Sequence, residues 1–428
     1  MKRLFNSFSR EEKSSWLLFL AAWIIYAVIS MTKSAYAASM ASIIEEGIFT
    51  KANSGIINAS FYLFYGVTQL AGVKLVDRIS PVALIYTTLF GTLFSIIGMA
   101  LSETFYAMLF FWSFCGFIQF AIWPAVLRII SEYMLYDHRN KAMVYIAFSY
   151  CAGMLVNYLM AAIVLKVSTW HTLFWVTAVI LVLSILLWWW VTSKTKEVYT
   201  EQRQINLAMA ESLTKQRQRK APEVKKVGFF KLLLSSGVLI LTVPALLRSA
   251  LDAGLKLWVP TMITENYAVS ASFANMLTTV LVFINLAGVF IAGKIYPKYT
   301  QSPVWAYGIC FLIALPFTVL LLLTGKIHVL LVVLLLAAVT TMMYAGHQLI
   351  NVVIPSHFTG YGRAGAIAST LNAIASFGTV SANIGFGVIA EKFGWNMTIL
   401  TWICIVGVAI LLCAVATPVW KRFMNKGV

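Results

Sequence analysis

Apolar runs of about 20 residues recur along the whole chain, and this is the length that an α-helix needs to cross the hydrocarbon core of a bilayer. The chain is 61% hydrophobic and only 11% charged, which is too little polar surface to cover a soluble globule. We therefore predict an all-α polytopic membrane protein. The predicted spans, numbered one to twelve, are residues 16–44, 53–75, 81–101, 104–130, 142–165, 171–192, 237–263, 270–293, 303–323, 327–352, 364–388 and 395–417.

The Lys and Arg residues are distributed unequally between the two sides of this topology. An even number of spans places both termini on one side, and most of the 32 Lys and Arg residues fall in the termini and loops of that side. The opposite loops hold only Lys51, Lys166, Lys326 and Lys392. Because cytoplasmic loops are enriched in Lys and Arg, we predict cytoplasmic termini and a location in the plasma membrane. The net charge of +17 then reflects contact with anionic lipid, and we expect no nucleic-acid partner.

Residue patterns typical of enzymes are missing from the sequence. The five cysteines all lie inside predicted spans, without the paired spacing of a metal site. We find no nucleophile–base pair and no nucleotide-binding glycine loop after a strand. We therefore predict a protein that is not an enzyme and that uses no metal and no cofactor.

A polar, strongly charged segment divides the chain into two parts of six spans each. We predict an N-terminal half at residues 1–192, a cytoplasmic linker at 193–228 and a C-terminal half at 229–428. Residues 199–219 of the linker are either a surface helix or a solvated connection. The halves resemble each other, because segments that begin at Gly72 and Gly293, carry basic residues and end at Pro81 and Pro303 follow spans two and eight. Such a six-plus-six repeat is typical of secondary transporters, with the substrate near the midplane.

Charged residues inside the spans are the main candidates for function. Lys33 lies within span one, and Arg248, Asp252 and Lys256 lie four residues apart on one face of span seven. Such charges persist in a membrane where they face a protected or water-filled interior. Arg128 is a fourth cation within a span, and Asp252 is the one clear acid. This excess of positive charge favours an anionic substrate. The alternative is a structural cluster of ion pairs that locks the two halves together.

Individual roles follow from position. Lys33 and Asp252 reach a similar depth, so we predict that they pair, and Asp252 either titrates with a coupled proton or only neutralises Lys33. Lys256 is the weakest of these candidates, because its long side chain can extend outward. Arg128 is predicted to be a gate or interface residue. The polar residues that line the cavity or else bond helices together are Tyr26, Tyr65, Gln119, Tyr150, Asn157, Tyr344, His347, Gln348 and Asn372.

The loop after span two carries Gly72, Asp77 and Arg78, and it resembles the loop signature of the major facilitator superfamily with one extra residue. The resemblance covers nearly the whole chain when the repeat and topology are included. It implies twelve transmembrane helices in two pseudo-symmetric six-helix halves. It also implies a gating role for Asp77 and Arg78, which would form ion pairs with neighbouring helix ends such as Arg139.

A narrower resemblance links the chain to the organophosphate:phosphate antiporter family. It rests on Lys33 and on residues 39–47, 65–66, 119–128, 247–248 and 254–261. That family's phosphate clamp implies an arginine in span one and another in span seven. Here Lys33 and Asp252 stand at those places, with Arg248 one turn away. Tyr150 and Gln69 replace a histidine and a lysine of the family, and a lysine acts as a point charge where an arginine grips phosphate with two parallel bonds.

These features together predict a secondary active transporter that moves a small organic anion by alternating access. Its expected substrate class includes phosphorylated metabolites, exchanged for phosphate or moved with protons, and we expect a monomer. The alternative is a transporter-like membrane sensor that binds such a ligand and signals through the linker. The absence of a large soluble signalling domain from the sequence favours transport.

Overall fold

The computed structural model of the protein describes residues 9–71, 76, 78–220, 228–285, 287–296, 298–324, 328–358, 361 and 363–426. These residues are helical almost throughout, as expected for a chain in lipid, where a helix satisfies its own backbone hydrogen bonds. The all-α prediction is confirmed.

Each of the six predicted spans of the N-terminal half is helical in its described residues, with span two described up to residue 71. Span four is interrupted near its end, where a π-helix continues the α-helix with one extra residue per turn. The helices are Arg10–Glu45, Lys51–Ala71, Pro81–Leu101, Phe105–Gln119 with Ile122–Arg128 and the π-helix Ile129–Tyr133, Tyr136–Val167, and Trp170–Lys220.

The C-terminal half follows the same plan after a short leading helix, Phe229–Ser235. Span ten again ends in a π-helix, so the fourth span of each half carries one. This match supports the predicted repeat. The helices are Val238–Tyr267, Ala271–Asn285 with Ala287–Ile295, Pro303–Thr324, Val329–Gln348 with the π-helix Leu349–Val353 and Ile354–Ser356, and Ala364–Lys426.

The last helical stretch contains two spans. Gly394 has φ 79° and ψ 176°, a conformation that residues with a side chain rarely adopt, and it breaks the stretch where the sequence predicts the loop between spans eleven and twelve. Ten helical regions are long and apolar enough to cross a membrane by length and composition. The last region counts as two spans when it is divided at Gly394, and the helix Lys51–Ala71 adds one more. The described part of the chain therefore contains the predicted twelve spans.

Helix starts are fixed by local chemistry at several loops. Ser80 caps span three by accepting a hydrogen bond from the backbone N–H of Ala83, and Pro81 occupies the first helical turn. Thr104 caps span four in the same way, through the N–H of Ala107. These caps explain why the spans begin at the predicted residues.

The chain forms two compact units. The first comprises Met1–Tyr36, Phe64–Met160 and Ser168–Pro222. The second comprises Ala37–Leu63, Ala161–Val167 and Glu223–Val428, so it takes in the end of span one and the start of span two. Within the first unit, residues 199–219 are helical and continue span six without a break. Of the two forms considered for this stretch, the structure has a helix.

Candidate functional site

The first unit holds Lys33 against an aromatic ring. Lys33 is half-buried on helix Arg10–Glu45, and its Nζ lies 4.6 Å from the centre of the Tyr65 ring. The negative face of an aromatic ring attracts an ammonium group, and the attraction is stronger where water is excluded. The structure therefore brings together two of the predicted site residues, Lys33 and Tyr65.

Gln119 fixes the turn that carries Lys33. Its Nε2 donates to Oγ1 of Thr32 at 2.9 Å, and it also lies 3.3 Å from Oγ1 of Thr92 and 3.2 Å from Sγ of Cys115. Gln119 is fully buried, so these bonds replace those it would make to water. Because Thr32 directly precedes Lys33, the amide of Gln119 holds the backbone from which Lys33 extends.

The other predicted residues of the first unit lie at different depths. Tyr26 is buried with its ring 5.0 Å from that of Trp123, and Tyr150 is half-buried on helix Tyr136–Val167. Asn157 is fully buried, and neither polar atom of its side chain has a hydrogen-bond partner among the described residues. A substrate role for these three residues stays a prediction.

In the second unit the charged face of span seven forms ion pairs along its own helix. Nζ of Lys256 lies 2.8 Å from Oδ1 and 2.9 Å from Oδ2 of Asp252. Nη1 of Arg248 lies 3.9 Å from Oδ2 of Asp252, which is too far for a hydrogen bond. Asp252 is thus bound mainly to Lys256. The sequence analysis did not predict this pair, although Lys256 lies one helical turn away, and the pairing of Asp252 with Lys33 stays a prediction.

Lys256 also differs from its prediction. Its side chain turns toward Asp252 and lies with Nζ 5.3 Å from the centre of the Tyr344 ring, rather than extending outward. Only 15% of the Lys256 side chain is exposed. Lys256 therefore belongs to the charged cluster and neutralises the charge of Asp252.

Arg248 is the cation of this cluster that Asp252 does not neutralise. It is 3% exposed, and its Nε has no hydrogen-bond partner in the described part of the chain. A Cβ added to Gly346 would lie 3.4 Å from Cδ of Arg248 and 3.0 Å from the Tyr307 ring. The small residue on span ten thus leaves space for the guanidinium stem. Because Lys256 neutralises Asp252, the cluster has one excess positive charge, which suits an anion.

Span ten adds neutral polar groups beside Arg248. His347 follows Gly346, and its Nδ1 accepts a hydrogen bond from Nδ2 of Asn351 at 2.9 Å. The rings of Tyr344 and His347 lie 6.4 Å apart. Asn351 belongs to the π-helix, and single π turns are frequent at functional sites. Gln348 is half-buried on the same span, whereas Asn372 on span eleven is exposed.

Arg128 joins three elements of the first unit. Its Nε donates to Oε1 of Glu132 at 2.6 Å, and its Nη1 donates to the carbonyls of Val76 and Ile79 at 2.6 and 2.7 Å. Nε of Arg203, on the extension of span six, lies 3.0 Å from Oε2 of Glu132. The gating position predicted for Arg128 thus contains a network that the sequence analysis missed. The i,i+4 spacing of Arg128 and Glu132 was its only local signal.

The extension of span six also caps the first π-helix. Nδ2 of Asn206 donates to the carbonyl oxygens of Glu132 and Met134, at 2.8 and 3.0 Å. These carbonyls lie at the helix end, where intrahelical donors are missing. Arg139 donates to the same Met134 oxygen from Nε and Nη2, both at 3.3 Å. Arg78 is exposed, and Asp77 lies outside the described residues.

Replacing Arg203 by Gln is expected to lower the free energy of unfolding by about 1 kcal/mol, because 35% of its side chain is exposed and solvent weakens the pair. The matched control is Arg10→Gln, since Arg10 and Glu197 form a pair at 3.5 Å with both side chains mostly exposed. Thermal unfolding in detergent measures both variants. Equal thermal unfolding midpoints for the two variants would show that the contact of Arg203 with Glu132 does not stabilise the fold.

A second missed cluster lies in the second unit, where the start of span two meets the ends of spans seven and eleven. Nζ of Lys51 forms an ion pair with Oε2 of Glu265 at 2.8 Å, and the same oxygen accepts a hydrogen bond from Nε1 of Trp395, also at 2.8 Å. Oε2 of Glu391 accepts one from the backbone N–H of Ala52, also at 2.8 Å. We call Lys51, Ala52, Glu265, Glu391 and Trp395 the rim cluster. The partners are more than 100 residues apart in sequence, so no local pattern indicates them.

Solved structures of membrane transporters share this fold. A bacterial homolog of the human lysosomal transporter Spinster, crystallised in an inward-facing conformation, has a TM-score of 0.76 and 16% sequence identity, over 97% of this chain and 99% of that chain. The xylose transporter XylE from E. coli has a TM-score of 0.66 and 13% identity, over 96% and 99% of the two chains. At such low identity, the likeness concerns the fold alone.

Two curated relatives match a shorter part of the sequence. Both are described as probable hexose phosphate transport proteins, one from Chlamydia muridarum at 26% identity and one from Chlamydia trachomatis at 25% identity. Each match spans 123 residues, which is 29% of this chain and 27% of the relative. The matched part thus covers about a quarter of each relative's length.

A family model covers most of the chain. The model described as Major Facilitator Superfamily matches residues 18–379, which reach from the first span into span eleven. The sequence resemblance, the helical repeat and the fold of the solved transporters agree with this match. The chain belongs to the major facilitator superfamily and has the fold of its transporters.

Proposed function

We propose that this protein moves a small organic anion across the plasma membrane by alternating access, as a monomer with both termini in the cytoplasm. The observation that carries the proposal is Arg248, a buried guanidinium whose Nε lacks a partner among the described residues, beside an acid already neutralised by Lys256. A buried cation in this condition is costly unless a ligand supplies the opposite charge. Lys33 provides a second cation on span one.

Phosphorylated metabolites are the first substrate class to test. The two curated relatives are described as hexose phosphate transport proteins, and their match supports this choice although it covers only 29% of the chain. A phosphate monoester carries up to two negative charges, and a guanidinium such as that of Arg248 binds phosphate through paired hydrogen bonds. Exchange for inorganic phosphate and symport with protons are both compatible with this site.

Counterflow in proteoliposomes tests the proposal. Labelled hexose phosphates, glycerol phosphates, phosphate and carboxylates are added outside, with unlabelled anion inside, and labelled xylose serves as the neutral control. We expect uptake of at least one anion that depends on internal anion or on a pH gradient. Uptake of xylose without uptake of any anion would overturn the proposal.

The second candidate function is a membrane sensor that binds the anion and signals. It is favoured by the continuous helix Trp170–Lys220, because Arg203 and Asn206 connect its extension to the end of span four. Saturable anion binding to the purified protein, with no counterflow for any bound ligand, would support sensing over transport.

The rim cluster is proposed to act as the gate on the side opposite the termini, and opening it requires the contact between Lys51 and Glu265 to break. Lys51→Gln removes this contact and is expected to raise the population of the open state. With Ala59→Cys as a reporter that is 2% exposed, labelling by a membrane-impermeant maleimide should rise several-fold. The control Lys166→Gln removes an exposed lysine predicted to lie on the same side and should change nothing. Unchanged labelling in Lys51→Gln would exclude a gating role.

A further inference from the structure

Four buried polar side chains stand close to the rim cluster in the second unit without hydrogen-bond partners in the region described. They are Ser54 on span two, Trp258 and Thr261 on span seven, and Asn383 on span eleven. Each is at most 1% exposed. The unpartnered atoms are Oγ of Ser54, Nε1 of Trp258, Oγ1 of Thr261, and both Oδ1 and Nδ2 of Asn383. Buried polar atoms normally have partners, so a cluster of five requires an explanation.

Two glycines bring these side chains to one crossing of three helices. A Cβ added to Gly55 would collide with the backbone carbonyl of Asn383 and would lie 3.2 Å from Cζ2 of Trp258. A Cβ added to Gly387 would lie 2.6 Å from the same Cζ2 atom and 2.9 Å from the carbonyl oxygen of Lys51. Cζ2 is on the side of the indole that carries the N–H group. The indole N–H of Trp258 thus lies close to the surface where spans two and eleven meet.

Sequence spacing places Ser54 and Thr261 about one helical turn deeper than the rim cluster, and Trp258 and Asn383 about two turns deeper. Ser54 follows Lys51 by three residues, and Thr261 precedes Glu265 by four. Asn383 precedes Gly387 by four residues, and Gly387 precedes Glu391 by four more. Residues three or four apart lie on the same face of a helix. On spans two and seven the ion-paired residue and the unpartnered residue therefore share a face.

The chemistry of the unpartnered atoms identifies the ligand. Nε1 of Trp258 and Nδ2 of Asn383 can only donate, whereas Oδ1 of Asn383 can only accept and the two hydroxyls can do both. A metal cation would face the hydrogen atoms of two N–H groups, and an anion would find no positive charge among the four residues. Water donates and accepts, and a buried water typically makes about three hydrogen bonds.

We propose that Ser54, Trp258, Thr261 and Asn383 form a binding site for buried water at the crossing of spans two, seven and eleven. Bound water satisfies the five polar atoms while the rim cluster closes over them. If the rim cluster opens, the same atoms exchange this water for bulk water, so opening exposes no newly unbonded polar group. The water site itself does not depend on transport.

Radiolytic hydroxyl-radical footprinting of the full-length protein in nanodiscs tests the site, because radicals form from water next to the residue that they oxidise. We expect oxidation of Trp258 to exceed that of Trp402 several-fold. Trp402 is the matched control, since it lies in the same unit, is equally buried and also has an unpartnered Nε1, but packs its ring 5.9 Å from Phe386. Equal oxidation of the two residues would overturn the proposal.

A variant and an ion control complete the test. Asn383→Leu removes two of the five polar atoms and fills space, so it should reduce Trp258 oxidation to the level of Trp402. Oxidation that stays high in this variant would contradict the assignment of Asn383. A Trp258 footprint that disappears in sodium but not in choline buffer would indicate a cation site and overturn the water proposal. If the variant fails to fold, the comparison of Trp258 with Trp402 in the unmodified protein remains decisive.

Discussion

Lys33→Gln is expected to reduce anion counterflow by about 100-fold or more while leaving membrane insertion intact. The ammonium is half-buried, and its described contact is the face of the Tyr65 ring, so the charge is available to a ligand. Removing one partner of a buried charge pair between protein and ligand costs about 2–5 kcal/mol, which corresponds to this loss. Counterflow rates, normalised to the amount of reconstituted protein, measure the effect.

The matched control is Lys194→Gln. Nζ of Lys194 lies 4.9 Å from the centre of the Trp190 ring, so it makes the same type of contact as Lys33, but both residues are exposed. This control should retain normal transport. Lys33→Arg is expected to keep activity and to shift preference toward phosphorylated compounds, because a guanidinium forms paired hydrogen bonds with phosphate. Normal transport by Lys33→Gln would make Lys33 a structural residue only.

Asp252→Asn is expected to destabilise the protein by about 3–5 kcal/mol, because it leaves the buried ammonium of Lys256 uncompensated. The double variant Asp252→Asn with Lys256→Gln removes both charges and should recover most of the lost stability. Combining Asp252→Asn with Lys33→Gln should recover none, because Lys256 stays unpaired. Expression level and thermal unfolding midpoint of the three variants measure these differences. Recovery in the Lys33 combination alone would show that Lys33 is the true partner.

The sequence was sufficient to predict the span count and the charged face of span seven, because both depend on local patterns. A membrane span is recognised from its own apolar length, and residues four apart share a helix face. The same spacing also indicates the pair of Asp252 with Lys256. The sequence analysis missed this pair because it gave more weight to equal depth in the membrane, which favoured Lys33, than to a partner one turn away on the same helix.

Features that depend on tertiary contacts were out of reach of the sequence. Glu265 binds Lys51 and Trp395, which lie on different spans, and only the packed helices bring them together. The form of residues 199–219 was equally open, because their composition suits a helix or a solvated linker. The contact of Arg203 with Glu132 connects this helix to span four, and nothing near Arg203 in the sequence indicates that partner.

The length of the helix that continues span six has a mechanical consequence. Trp170–Lys220 contains 51 residues, which at about 1.5 Å per residue corresponds to about 75 Å. Arg203 and Asn206 hold the middle of this extension against the end of span four. The helix beyond Asn206 continues for about 20 Å at this rise per residue and acts as a lever arm. A tilt of about 10° at Asn206 displaces the far end by about 4 Å, given the rise per residue of a helix. A spin label or fluorophore placed near the end of this arm therefore detects small reorientations of span six with the greatest sensitivity.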